Sequence, residues 1–226
     1  MKKDRILVIA AHPDDDVLGC GGFLFKKSKT SEIKVVFVAE GTSARYKEKT
    51  QEVEEKINKR NLNAVEALTV LGVKQYEFYN LPCCRLDQIP IIDIGKIVER
   101  EIELFRPNMV LTHNSCDVNV DHNLTFQAVL QATRPSAKNF VSKVFCFEIL
   151  SSTEWRFEKT FEPNLFVQLT EKEVQKKIDS LKKYESEMKH YPFPRSEEGV
   201  MTLAKYRGMQ AGVEYAEAFK ILREII

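Results

Sequence analysis

Arg5-Ile6-Leu7-Val8-Ile9-Ala10-Ala11-His12-Pro13-Asp14-Asp15-Asp16 passes from an unbroken apolar run straight into a proline and three carboxylates. The apolar and β-branched residues 5–10, bounded by charge before and proline after, fit a strand buried on both faces of a parallel sheet. Beyond the carboxylates, Val17, Leu18, Phe23 and Leu24 fall close to one face of a helix over residues 15–27. Glycines at 19, 21 and 22 would let that helix pack closely on a sheet. Strand, turn and helix together make the first part of a βαβ unit. The two lysines at the start are not expected to make the run a secretory leader, because residues 6–11 are too few for an apolar leader core and carboxylates follow at once.

Working outward, residues 33–39 repeat the buried-strand texture, 40–46 read as a loop, and 49–71 as a long helix that Gly72 ends. A third strand over 76–81, a loop over 82–90 and an amphipathic helix over 91–105 follow, the helix stopped by Arg106-Pro107. Residues 109–112 form a fourth strand. Alternation at this spacing predicts right-handed βαβ crossovers and an α/β fold, a Rossmann-like and mostly parallel sheet flanked by helices. After Phe140 the texture changes: 143–150 and 165–168 read as strands, 171–187 as a helix, 190–196 as a proline-rich loop, and 198–226 as mostly helical. No repeat, low-complexity tract or linker-like shift interrupts the chain, so residues 1–226 are expected to form one domain.

The 226 residues carry 34 basic and 33 acidic side chains, a net charge of +1, which offers no general attraction to nucleic acid or an anionic membrane. A local basic pocket for one or two phosphates stays open. No apolar stretch is long enough to span a bilayer. The five cysteines, Cys20, Cys83, Cys84, Cys116 and Cys146, show no C-x-x-C pair and are expected to be free thiols of a cytoplasmic protein. Homo-oligomerisation is left open.

Ligands of open parallel sheets bind beyond the carboxyl ends of the strands. Two groups of metal-competent residues fall there: His12-Pro13-Asp14-Asp15-Asp16 after the first strand, and the segment from His113 to Asp121-His122 after the fourth. If those strands are neighbours, both loops overhang one crevice. A catalytic zinc needs three nitrogen or oxygen ligands and an open position for water. His12 and Asp15 can face one point across the strand-to-helix turn, and His122 can supply the second imidazole. Asp14 would then stand beside the metal as a proton acceptor. The chain has only four histidines, and two of them lie beside aspartates at strand ends. N-capping of the helix is the competing reading of three aspartates at its start, and spacing alone does not choose. Two nitrogens and a carboxylate also suit iron or cobalt.

His12-Pro13-Asp14-Asp15 after an apolar strand, with Asp121-His122 about a hundred residues on, resembles the LmbE-like (PIG-L) family of zinc-dependent N-deacetylases. Asp16 stands where that family usually has Glu. The second family motif is typically His-Pro-Asp-His; here it reads Asn119-Val120-Asp121-His122. The resemblance covers nearly the whole chain. It is strongest to a branch tied to surface-sugar and nucleotide-sugar biosynthesis, through Thr112-His113, Asp117-Val118-Asn119, Arg134-Pro135, the segment EILSSTEW ending at Trp155, Pro194-Arg195-Ser196 and Arg207-Gly208.

The resemblance implies one Zn2+ per chain on His12, Asp15 and His122, and removal of an N-acyl group, acetyl first, from a small amino-sugar substrate, nucleotide-linked in some members. Asp14 would serve as general base and then acid, with Asp121 supporting a ligand histidine. With the first motif histidine replaced by Asn119, His113 is the first candidate to stabilise the oxyanion, Asn119 the next, and His190 a weaker one. Arg60 and Arg195 are candidates for phosphate or hydroxyl contacts, and Glu154 and Trp155 for shaping a sugar pocket. The competing readings are a deformylase, a thiol-sugar conjugate deacetylase, a silent metal-binding relative (suggested by Asn119 and Phe193) and a nucleotide-binding module. The last is disfavoured, because Gly19-Cys20-Gly21-Gly22 follows the carboxylates instead of opening the helix as a phosphate cradle.

Overall fold

The computed structural model describes residues 3–225. Strand β1 (Arg5–Ala10) pairs in parallel with β2 (Glu32–Ala39) on one side and β4 (Met109–Thr112) on the other. Beyond β2 lies β3 (Gln75–Leu81), and beyond β4 lies β5 (Lys143–Phe147), both parallel to their neighbours. The sheet closes with β7 (Tyr215–Glu224), antiparallel to β5, and β6 (Leu165–Leu169) at the far edge. The resulting order is β3-β2-β1-β4-β5-β7-β6. Chain direction of travel across the sheet reverses between β1 and β4, and the carboxyl ends of these two strands are where such folds bind ligands.

Six α-helices cover the two faces among the described residues: α1 (Asp15–Lys27), α2 (Gln51–Leu71), α3 (Ile91–Phe105), α4 (Val120–Ala132), α5 (Glu171–Leu181) and α6 (Glu197–Ala211). Alternate residues of β1 feed two separate cores. Ile6, Val8 and Ala10 pack beneath α1, α2, α5 and α6, while Leu7 and Ile9 pack beneath α3 and α4. A strand sandwiched in this way must be apolar throughout, which explains the unbroken run. Gly19 lets α1 sit hard against β5: a Cβ there would lie 2.3 Å from the Phe147 ring. Midway, α1 kinks at Cys20 (φ −148°), and the freed backbone N–H groups of Gly22 and Phe23 donate to the Glu217 carboxylate at 2.9 and 2.6 Å. Lys177 of α5 neutralises that buried carboxylate at 2.7 Å.

The β1 to β4 alternation and the Gly72 cap (φ 76°) match the sequence expectation. Three elements differ. Helix α4 lies where only a loop ending at His122 was expected; its low-contrast face of Thr125, Ala128, Val129 and Ala132 carries little periodic signal. Helix α5 stops at Leu181 instead of running to Glu187. Most markedly, the chain after Ala211 is not helical. Gly212 (φ 73°) ends α6, and β7 inserts between β5 and β6. Its Ala, Glu, Lys, Leu and Arg residues are good helix formers, but burial of Tyr215 to Phe219, with pairing to β6 over residues 215–219 and to β5 over residues 219–224, overrides that weak preference. Ile226, at the end of the expected helix, lies outside the described residues. Among the described residues, no helix is long and apolar enough to cross a membrane.

Candidate active site

Registering Ile9 of β1 opposite Thr112 of β4 sends His12 and His113 off adjacent strand ends. The turn into α1 is tight. The Asp15 N–H donates to the His12 carbonyl at 3.2 Å, and Asp14 adopts φ 117°, a conformation costly for a residue with a Cβ. The Asp14 side chain makes no capping hydrogen bond to α1. The Asp15 carboxylate turns back and accepts the His12 N–H at 2.8 Å. The aspartates are therefore not spent on capping.

His12, Asp15 and His122 come together, all buried, with their donor atoms within 4.8 Å of one another. Asp15 Oδ2 stands 3.3 Å from His12 Nδ1 and 3.3 Å from His122 Nε2. Those separations are long for good hydrogen bonds. Two donors held about 2.0–2.1 Å from one tetrahedral centre stand about 3.3–3.4 Å apart, so the spacing fits a shared zinc-like ion. Each imidazole faces a further carboxylate at its other nitrogen, as metal-binding histidines do. His12 Nε2 lies 2.8 Å from Asp121 Oδ2, and His122 Nδ1 lies 3.0 Å from Asp117 Oδ2.

The bracing carboxylates are themselves held. Asp121 accepts the backbone N–H groups of Cys84 at 2.6 Å and Leu86 at 3.2 Å. Asp117 accepts the hydroxyls of Ser152 and Thr153, the latter at 2.8 Å, and the Asn119 N–H at 2.8 Å. The site's field favours positive charge. Burial opposes protonation of both rings, yet Asp121 and Asp15 carry His12 up to about 9, and Asp15 and Asp117 carry His122 up to about 10. Burial likewise opposes charge on Asp15, but the surrounding histidines hold its carboxyl well below the ordinary range.

Asp14 faces the same opening. Arg195 Nη1 donates to its Oδ2 at 2.7 Å, and Arg60 Nη2 stands 3.2 Å from its Oδ1. Burial pushes the Asp14 carboxyl up from its usual value, and the two guanidiniums pull against that. Arg60 is further fixed by the Pro13 carbonyl at 2.7 Å and by Glu187 at 2.6 Å. Glu187 also takes Arg45 at 2.7 Å, which makes it the organiser of three arginines around the crevice. Nothing in the sequence singled out Glu187 or the bracing role of Asp117; only their position in the fold reveals them.

The crevice, about 220 Å3, is lined by His12, Asp14, Asp15, Asn119, His122 and Arg195 among others. Asn119 N-caps α4, its Oδ1 accepting the Asp121 N–H at 2.9 Å, so its amide NH2 is left for the opening. His113 sits behind the site. It is fully buried, its Nε2 accepts the Ala11 N–H at 2.8 Å, and its ring stacks on His122 at 4.0 Å. Burial carries it down to about 3, so it stays neutral. Glu154 staples its own turn through the N–H groups of Ser151 and Ser152 at 2.5 and 3.1 Å, and the half-exposed Trp155 does not line the crevice. His190 is exposed on the proline-rich loop and also lies outside the lining. The five cysteines are free thiols. A neighbouring groove of about 510 Å3 shares Thr42, Arg45 and Arg60 with the crevice and adds Lys56 and Lys59.

Residues 7–133 match the family described as GlcNAc-PI de-N-acetylase, PIG-L. The uncharacterized deacetylase YaiS of Escherichia coli K12 is 28% identical over 193 residues, spanning 82% of this chain and 92% of that protein. Among solved structures, the N,N'-diacetylchitobiose deacetylase of Pyrococcus horikoshii superposes with a TM-score of 0.79 at 21% identity, covering 96% of this chain and 83% of that one. GalB, the 4-carboxy-2-hydroxymuconate hydratase of Pseudomonas putida KT2440, superposes at 0.75 and 22% identity, covering 100% and 98%.

Proposed function

Because the chain belongs to the PIG-L family, whose match takes in more than half of it, we propose that it is a metal-dependent hydrolase that removes an N-acyl group, acetyl first, from an amino sugar. One observation carries this reading: a buried His12–Asp15–His122 donor set with a second carboxylate, Asp14, held by two arginines at the same opening. A divalent ion on those three residues, zinc by the spacing of the donors, would supply Lewis-acid polarisation of water and of the amide carbonyl. The remaining steps belong to this chain's own side chains. Asp14 accepts a proton from the attacking water and returns it to the departing nitrogen. Arg60 and Arg195 hold that carboxylate in place. The Asn119 amide, its oxygen already engaged, offers N–H to the developing oxyanion. His113 packs on His122 and keeps that ring in its plane.

The groove beside the crevice suits the rest of the substrate. Arg45, Lys56, Lys59 and Arg60 line it in a chain of net charge +1. Glu187 and Glu52 pair with three of these cations, and Glu185 also lines the groove; Lys59 makes no ion pair among the described residues. That balance favours an anionic carrier such as a sugar phosphate or a nucleoside diphosphate sugar. A hydratase shares the fold, so the fold alone does not choose the reaction.

The test is acetate and formate release from neutral N-acyl hexosamines, their 1-phosphates and nucleoside-diphosphate conjugates, with and without chelator. Expected are chelator-sensitive acetate release and the highest kcat/KM on a phosphorylated substrate. A fully metal-loaded protein that releases neither acid from any of them would contradict the hydrolase reading. Equal kcat/KM on neutral and charged substrates would contradict only the anionic carrier.

A further inference from the structure

The loop after β3 brings two adjacent thiols, Cys83 and Cys84, to the wall of the crevice, one buried and one exposed. Their sulfurs lie 3.7 Å apart. A disulfide would require about 2.05 Å. Two sulfurs about 2.3 Å from one tetrahedral zinc stand about 3.8 Å apart, which is close to what is found. The donor atoms of Cys83, His12 and Asp121 also lie within 4.8 Å of one another, and all three residues are buried. The loop is pinned there. The Cys83 N–H donates to Glu40 at 2.9 Å, and the Cys84 and Leu86 N–H groups donate to Asp121.

We propose that Cys83, Asp121 and His12 form a second site for a soft divalent cation, next to and sharing a wall with the first, with the exposed Cys84, whose sulfur lies beside that of Cys83, closing on the ion as the fourth ligand. The thiolates account for the preference: sulfur donors select zinc and cadmium over magnesium or calcium. Binding releases to solvent one proton from each thiol and the proton shared by His12 Nε2 and Asp121 Oδ2, as the metal–sulfur, metal–nitrogen and metal–oxygen bonds form. An ion here would have to open the 2.8 Å contact between His12 Nε2 and Asp121 Oδ2, taking the place of the proton they share. His12 would then lose the brace that sets its ring toward Asp15. Occupancy of the second site is therefore inhibitory. The inhibition rests on the metal reading of the first site, but the binding itself does not.

Reduced, metal-free protein is titrated with cadmium and followed by the thiolate-to-metal charge-transfer band in the ultraviolet. In parallel, zinc per chain is counted after equilibration with excess zinc. Wild type is expected to give the thiolate band and two zinc equivalents. A Cys83→Ser/Cys84→Ser double variant is expected to give no band and one equivalent, with an unchanged far-UV spectrum showing that it folds. Should the double variant fold poorly, Cys84→Ser alone is expected to weaken cadmium binding at least tenfold. Equal zinc counts in wild type and a folded variant, or cadmium bound without a thiolate band, would overturn the proposal. The first site is read separately through His122→Ala, which is expected to keep the thiolate band. Failure of that site or of the hydrolase reading thus leaves a different signature.

Discussion

The turn at residues 11–16 and the loop at 113–122 each deliver an imidazole to one oxygen of Asp15, yet they are built in opposite ways. The first holds His12 and Asp15 mainly by local geometry, a three-residue spacing, a backbone bond from Asp15 to His12 and a strained Asp14, with one remote brace from Asp121 on the His12 ring. The second is held from afar. His122 depends on Asp117, and Asp117 depends on Ser152 and Thr153, more than thirty residues away on the turn after β5. Local rigidity makes the first half of the site cheap to keep, whereas the second half is only as firm as a network of hydroxyls and carboxylates.

The largest break in this comparison is His122→Ala. It is expected to abolish stoichiometric zinc after gel filtration, measured by atomic emission, and with it all turnover; full zinc retention would show that the two loops do not share a metal. Next comes pH. In the metal-free protein the carboxylates around His12 and His122 raise both rings well above their ordinary value, to about 9 and about 10, so both are expected to be protonated at neutral pH. A metal must displace those protons, so affinity rises with pH until both pKa values are passed and falls as pH drops. Calorimetry in buffers of different ionisation enthalpy is expected to show about two protons released near pH 7; none released would place the ligands elsewhere.

Asp117→Asn sharpens the contrast. It removes the brace of the remote half only, and zinc affinity is expected to fall about 10–100-fold with the fold intact. A competition assay against a chelating dye reads this directly, and an unchanged affinity would mean that the hydroxyl network is incidental. The smallest effect concerns Asp16, whose oxygens have no protein partner among the described residues. Burial and the Asp14 charge push its carboxyl up to about 8. The folded chain thus keeps a proton that the unfolded chain loses above about 3.9, so stability falls as pH rises from about 4 to 8. Asp16→Asn is expected to raise Tm by a few degrees at pH 8 and by less at pH 5. The same gain at both pH values would show that Asp16 is not protonated in the fold.

The same contrast governs how much the sequence discloses. β1, its turn and α1 are contiguous, so apolar run, carboxylates and glycines could be read together. His122 was also legible, because it terminates a recognisable motif. Its brace was not, since Asp117 meets Ser152 and Thr153 only once β4 and β5 lie side by side. Glu187 is invisible for the same reason, two of its three arginine partners lying 127 and 142 residues away. Arg60 and Arg195 could be proposed as anion binders, but that both face Asp14 is a fact of three dimensions. The composition of β7 favours a helix, and only its neighbours in the sheet decide otherwise.

The most direct test compares wild type with Asp14→Asn at equal, measured zinc content on whichever N-acetylated sugar wild type turns over. Full metal occupancy is expected in both proteins, with a fall of about 10²–10⁴-fold in kcat for the variant, as loss of a general base should give. Near-normal turnover by a fully loaded Asp14→Asn protein would contradict that role.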